Sequence, residues 1–405
     1  MLKKIALVVS SLKNSGGAYQ EAMYAISNIE KNNNKKFEFI IVTDSKTLKN
    51  DIETDFEIIH FKLSFIQKFI CYLRSSRFFI DFFNKFFFRN SLESFFKKNN
   101  IDFLYFLDGG FNVKYIEDMN FIMNIPDLCH RVNLEFPEVR NSFEFEKREN
   151  LYKKYLPKAF SIITNSEIIK NQIIKYYSVD EDRICVIPHQ PSNSVLNFKE
   201  KVFDEKIKDI IFEKFNLPEQ YIFYPAQFWP HKNHIYIIKS IKILNEKFNK
   251  NIKAVFTGSE KINFKKLKSY VERNNLNSDI KFLNFVSDNE LPYLYKECLA
   301  VVMPSFFGPT NIPPLEGFCL DVPVIYSDLK DFRKEFGESV YYVDLNEPES
   351  LSKAILNISE DNSLKQKLIL AGREKLKTLS LSENFNQIFK LLDKYSELSK
   401  SWTIR

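Results

Sequence analysis

Glu316 stands in the stretch best equipped for chemistry, residues 299–328, LAVVMPSFFGPTNIPPLEGFCLDVPVIYSD. Apolar runs at 299–303 and 322–326 read as buried strands on either side of a loop that feeds a short helix. Pro313 and Pro314 fit the first turn of that helix, where a missing N–H is no loss. Thr310 or Asn311 can cap it. N–H groups at a helix start, placed at the carboxyl end of a parallel strand, form an anion site. Glu316 falls within the first turn and would be repelled by a bound phosphate. Its carboxylate makes sense as an acceptor for sugar hydroxyls one step further along a nucleotide.

Two other places gather functional residue types. Gly16-Gly17 follows an apolar run and opens a helix, and glycines there let backbone N–H groups approach a phosphate or a sugar closely. The spacing is not GxGxxG, so the dinucleotide fingerprint fails and a simple tight turn is the competing reading. Asp44, at the end of the second apolar run, is a weak ribose ligand without that fingerprint. Further on, Asp127, His130 and Arg131 arrive together after an apolar approach, at a strand end and loop because Pro126 excludes a helix interior. His231 and His234 are three apart and could face one way on a helix, but a zinc site needs further ligands and no HExxH is present. Asp180-Glu181-Asp182 reads as a solvated helix-to-strand turn.

The elements that must hold these residues alternate between strand and helix. Apolar runs at 3–10, 37–43, 101–107, 161–164 and 184–187 read as strands of one half of the chain. Those at 221–227, 252–258, 280–285, 299–303, 322–326 and 340–343 read as strands of the other. Helical patterns lie between them, including 18–30, 167–177 after Asn165-Ser166, 205–215, 264–274, 288–298, 349–358, 363–376 and 382–399. Such alternation predicts α/β domains with parallel sheets. The 405 residues predict two or three domains. Their bounds read as 1–188, a linker at 189–203 marked by prolines, Ser and Asn, then 204–380, then a closing helix within 381–405. The five cysteines are scattered and lack metal-ligand spacing, as expected of a reduced cytosolic protein. No stretch approaches the length of a membrane span. The basic, apolar N-terminus ends too soon, in a Gly loop, for a signal peptide. The net charge of +6 favours weak attraction to anionic surfaces.

Taken in order, the Gly loop, the His130 segment, the stretch FWPHKNH and the Glu316 segment resemble the family 4 (group 1) glycosyltransferases over nearly the whole chain. These are retaining enzymes of the GT-B fold. The resemblance implies two Rossmann-like domains whose parallel sheets face each other across a cleft, with the last helix crossing back onto the first domain. It implies a nucleotide diphosphate sugar donor on the carboxy-terminal domain and a glycan or lipid-linked acceptor on the amino-terminal one. In the family a strand ending in Pro-Ser, here Pro304-Ser305, precedes two glutamates separated by seven residues. Glu316 matches the second, which contacts the ribose; Gly308 stands at the first, which contacts the transferred sugar. The strand at 221–227 is followed in the family by an arginine and, five residues on, a lysine that clamp the diphosphate. Lys232 matches the lysine, and Gln227 replaces the arginine. Thr310, Asn311 and Gly17 join the donor side; Gly16, Asp127 and Arg131 join the acceptor or sugar side. His130 matches a histidine placed against the reacting sugar.

The implied activity is metal-independent transfer of a hexose-type sugar in cell-surface polysaccharide synthesis, with no cofactor and no nucleic-acid partner. The departures at Gly308 and Gln227 keep two rivals open, a non-catalytic nucleotide-sugar binder and a nucleotide-sugar epimerase. As a donor-site carboxylate, Glu316 is expected to contribute little to stability. Residues 61–98 carry aromatics at helical spacing among many Lys and Arg residues. A basic helix with a large apolar face suits the plane of an anionic membrane; the competing reading is a helix pair that packs the first domain. The expectation is a cytoplasmic chain, peripheral on the inner face of the cell membrane.

Overall fold

The computed structural model describes residues 4–12, 16–33, 35–48, 52–74, 91–109, 111–283, 285–308, 310–379 and 381–402. They form two compact units. The first comprises Met1–Leu128, Phe145–Pro188 and Leu381–Arg405. Its strands are β1 Lys4–Val9, β2 Glu38–Thr43, β3 Glu57–His60, β4 Phe103–Phe106, β5 Phe121–Asn124, β6 Ser161–Thr164 and β7 Ile184–Val186. They pair in parallel in the order β3-β2-β1-β4-β5-β6-β7. A parallel sheet covered on both faces needs near-continuous apolar strands, and Ile5, Ala6, Leu7 and Val9 of β1 are wholly buried. The edge strand β3 was not expected. Its sequence EIIH is short and only half buried, so it lacks the long apolar run of its neighbours.

The closing helix Leu381–Ser399 groups with this first unit. There Tyr395 packs on Phe103 at 4.4 Å and on Phe160 at 5.2 Å between ring centroids. Residues 61–98 divide. Helix Ser91–Lys98 buries Leu92 and Phe96, and its Glu93 carboxylate accepts the N–H groups of Glu117, Asp118 and Met119. Helix Phe65–Arg74 instead leaves Phe65, Ile66 and Phe69 exposed at 84, 70 and 53%. Residues 75–90 lie outside the described residues. No described helix is long and apolar enough to cross a membrane.

The second unit comprises Cys129–Glu144 and His189–Ser380. Its strands are β8 Tyr221–Pro225, β9 Lys253–Thr257, β10 Ile280–Leu283, β11 Ala300–Met303, β12 Val324–Ser327 and β13 Tyr341–Val343. They too are all parallel, in the order β10-β9-β8-β11-β12-β13. Helix Glu205–Phe215 starts where Asp204 accepts the N–H groups of Lys206 and Ile207, and ends at Asn216 in the left-handed region. Two segments are arranged differently from the sequence reading. Residues 189–203, read as a linker, contain helix Asn193–Lys199, whose Val195 is fully buried in the second core. Cys129–Glu144, read with the first domain, groups with the second unit, because its aromatic and acidic side chains find their partners there.

Candidate donor site

Open α/β sheets bind ligands at the carboxyl edge where the strand order reverses. In the second sheet that point lies between β8 and β11, and the loops following these two strands carry Gln227, Lys232, Gly308, Thr310 and Asn311. The loops are fastened to each other: Phe306 N–H donates to the His231 carbonyl at 2.9 Å. The Tyr224 hydroxyl, rising from β8, donates to the Lys232 carbonyl at 2.8 Å. Lys232 Nζ donates to Asn311 Oδ1 at 2.9 Å, so the lysine and the helix start expected at the diphosphate do meet.

Asn311 is the residue at the N-cap of helix Ile312–Cys319, yet its side chain makes no capping bond. Its amide is turned inward, donating to the Gly308 carbonyl at 2.7 Å and to the Tyr326 hydroxyl at 2.5 Å. The Thr310 hydroxyl is buried and has no hydrogen-bond partner among the described residues. Neither residue therefore caps the helix as expected. Pro313 and Pro314 have no N–H to offer, which leaves the backbone donors at this start to Thr310, Asn311 and Ile312. Lys232 sets a cationic side chain beside this helix start. Gly308 has φ +89°, and a Cβ added there would come within 3.4 Å of the Asn311 amide. Asn311 fills the room beside the position where the family has its first glutamate. Gln227, at the arginine position, accepts a hydrogen bond from Trp229 Nε1 at 2.9 Å.

Glu316 is only 4% exposed. Its Oε1 accepts the Ser192 hydroxyl at 2.5 Å and the Ser192 N–H at 3.4 Å, and its Oε2 accepts the Tyr295 hydroxyl. Burial pushes its carboxyl above the ordinary range, and the Ser192 and Tyr295 bonds pull back against it. The carboxylate thus fastens the start of the 189–203 segment to helix Ile312–Cys319. The expectation that it matters little for stability does not survive this geometry, because a buried, doubly bonded carboxylate is a structural element. Ser192 and Tyr295 had no local signature in the sequence.

The histidines separate. His231 ends up against Glu138 and lies flat on Phe307, whereas His234 sits among Tyr224, Phe228 and Phe256, its imidazole pushed down to about 3 by burial. Asn233 between them has φ 56°, which breaks the helical register that would have aligned the two rings. His130 is fully buried in the short helix Cys129–Val132, and Arg131 is half-buried beside it.

In the first unit the order reverses between β1 and β4. Gly16 takes φ 71° at the start of helix Gly17–Asn32, a conformation that favours glycine. Asp108 after β4 accepts the N–H groups of Ser10 and Ser11, and Asp127 pairs with Arg148 at 3.0 Å. Glu21 lies close enough to both carboxylates to feel their charge. Burial first, and then Asp108 and Asp127, push it up to about 8.

The family described as Glycosyl transferases group 1 matches residues 206–375, the region that holds both switch-point loops of the second unit. The chain is 30% identical over 211 residues to the O-antigen chain mannosyltransferase RfbU of Salmonella typhimurium, covering 52% of this chain and 54% of that protein. It is 24% identical over 254 residues to O-antigen chain mannosyltransferase B of Escherichia coli, covering 60% and 63%. The matches thus span between half and two thirds of those relatives' lengths. Among solved structures, the Anabaena protein Alr3699/HepE, in complex with UDP and glucose, superposes with a TM-score of 0.71 at 15% identity, covering 97% of this chain and all of that one. At that identity the likeness speaks for the fold alone, and the fold is the expected one: two α/β units, each built on a parallel sheet. Residues 206–375, then, match the family model of the group 1 glycosyltransferases, and the fold of the chain is GT-B.

Proposed function

We propose that this chain is a retaining glycosyltransferase that moves a hexose from a nucleoside diphosphate sugar to a glycan or lipid-linked acceptor in O-antigen-type polysaccharide synthesis. The observation that carries the reading is the meeting of Lys232 and Asn311 at the switch point of the second sheet, inside the family region. Lys232 and the backbone N–H groups of residues 310–312 take the diphosphate, and Glu316 takes a ribose hydroxyl on the lone pairs left by Ser192 and Tyr295. Asn311 and Gln227 line the donor side as neutral groups. His130 and Arg131 serve the sugar side; in the first unit, Gly17 serves the donor, and Gly16 and Asp127 the acceptor or sugar. Catalysis is then positioning plus charge stabilisation of the leaving diphosphate. Because Lys232 supplies a fixed cation, transfer is proposed to proceed without a divalent ion.

Mannose is the sugar favoured, since two relatives carry the name mannosyltransferase; the UDP and glucose in the HepE structure make a glucosyl donor the comparison. The cytoplasmic, membrane-peripheral setting is supported by Phe65, Ile66 and Phe69, exposed on a helix that also carries Lys68. The test is calorimetry with a panel of nucleoside diphosphate mannoses and glucoses in chelator, followed by NMR of the glycoside formed. A product of inverted anomeric configuration overturns the retaining reading. Donor binding without turnover favours the non-catalytic binder, and conversion of the donor without an acceptor favours the epimerase.

A further inference from the structure

The segment Cys129–Glu144 is held to the second unit at one knot. Pro137 opens the short helix Pro137–Arg140, which puts Glu138 in its first turn. Glu138 Oε1 accepts the backbone N–H of His231 at 2.9 Å and meets the ring Nδ1 of the same residue at 2.5 Å. The two side chains are 7% and 12% exposed. Glu138 Oε2 is buried and has no hydrogen-bond partner among the described residues, so His231 supplies the carboxylate's polar contacts there. Burial alone would raise the Glu138 carboxyl, but the two His231 bonds outweigh it and hold the group below its ordinary value.

Aromatic packing closes around this pair. His231 stacks on Phe307 at 4.0 Å with 15° between planes. Phe136 meets Phe307 edge-on at 5.2 Å and Phe306 at 5.4 Å. Each partner adjoins a donor-site residue in sequence: His231 precedes Lys232, and Phe307 precedes Gly308 and the turn to Asn311. On the other strand of the knot, Glu138 lies in the same short segment as His130 and Arg131.

We infer that Glu138 is a positioning residue which, through His231, locks the His130-bearing segment onto the two loops that carry Lys232 and Asn311. The inference rests on the proposed transfer reaction for its functional consequence, but not for its structural one. The lock sets the sugar-side groups relative to the diphosphate-side groups. Loosening it should therefore slow transfer while leaving the donor's own contacts in place.

Glu138→Gln keeps the shape and removes the charge. Hydrogen–deuterium exchange in peptides from 129–144 should speed up about tenfold while helix Glu205–Phe215 is unchanged. Transfer should lose about 10- to 100-fold in kcat, with donor KM and calorimetric donor affinity changing less than about threefold. His231→Gln should reproduce both effects, and the double variant should be no worse than either single one, as residues acting as one unit require. Glu138→Asp, which retains the charge, should recover part of the protection. Unchanged exchange in 129–144, additive effects in the double variant, or a loss confined to donor affinity would each overturn the lock. Should the parent transfer from no donor at all, the proposed function fails, while the exchange cycle still judges the lock.

Discussion

Replacing Glu316 by Gln separates a ligand carboxylate from a structural one, and the geometry predicts a measurable cost in stability. The side chain is 4% exposed and accepts hydroxyls from Ser192 and Tyr295, one on each oxygen. Hydrogen bonds to a charged group contribute about 1.5–3 kcal/mol each. A glutamine retains one acceptor oxygen but turns an NH2 group toward the other hydroxyl, so one such bond is lost. Relief from burying a charge offsets part of it, leaving a cost of about 2 kcal/mol. For a domain of about 150–250 residues that lowers the melting temperature by roughly 4–8 °C. The chain has two tryptophans, and Trp402 belongs to the first unit, so a Trp402→Phe background leaves Trp229 as a reporter of the second. Urea and thermal melts followed at Trp229 then read the second unit on its own. Tyr295→Phe should cost less, and the pair should be non-additive because the two groups share one bond. A Glu316→Gln protein that melts with its parent refutes the argument, whatever happens to donor affinity.

Lys232→Ala should weaken nucleoside diphosphate binding about 10- to 100-fold, a fraction of the roughly 4 kcal/mol that a charge pair at 4 Å has at an effective dielectric near 20. Unchanged affinity by calorimetry would move the diphosphate elsewhere. Burial, then Asp108 and Asp127, push Glu21 from its ordinary 4.5 up to about 8, so the folded state should hold the extra proton between those values and stability should fall as pH rises through that window. Glu21→Gln should remove that fall, making the variant more stable than its parent at pH 9 but not at pH 5 in urea titrations; parallel pH profiles would contradict the burial argument. Phe65→Ser with Phe69→Ser should release the protein from anionic vesicles in sedimentation assays and leave nucleotide binding intact, since both side chains are exposed. Retained vesicle binding would return this helix to an ordinary surface role.

What could be read from the chain alone was what depends on neighbours in sequence. Helices Glu167–Tyr177 and Glu205–Phe215 were legible to the residue, because Ser166 and Asp204 cap them locally and apolar residues recur at helical spacing. The parallel strands were legible because a sheet covered on both faces demands uninterrupted apolar runs. The exposed, four-residue β3 and the helix Asn193–Lys199 were not, since each is too short to hold its shape without the unit it packs against. Residue types at the candidate donor site were also legible: Glu316, Lys232 and Asn311 were named from spacing and resemblance. Their partners were decided only by the fold. Ser192 reaches Glu316 across 124 positions and Glu138 reaches His231 across 93, and no local pattern encodes contacts at such separations. Burial does the rest. A carboxylate enclosed by folding must find donors wherever the chain brings them, and that requirement made Glu316 a structural fastener and Glu138 a lock.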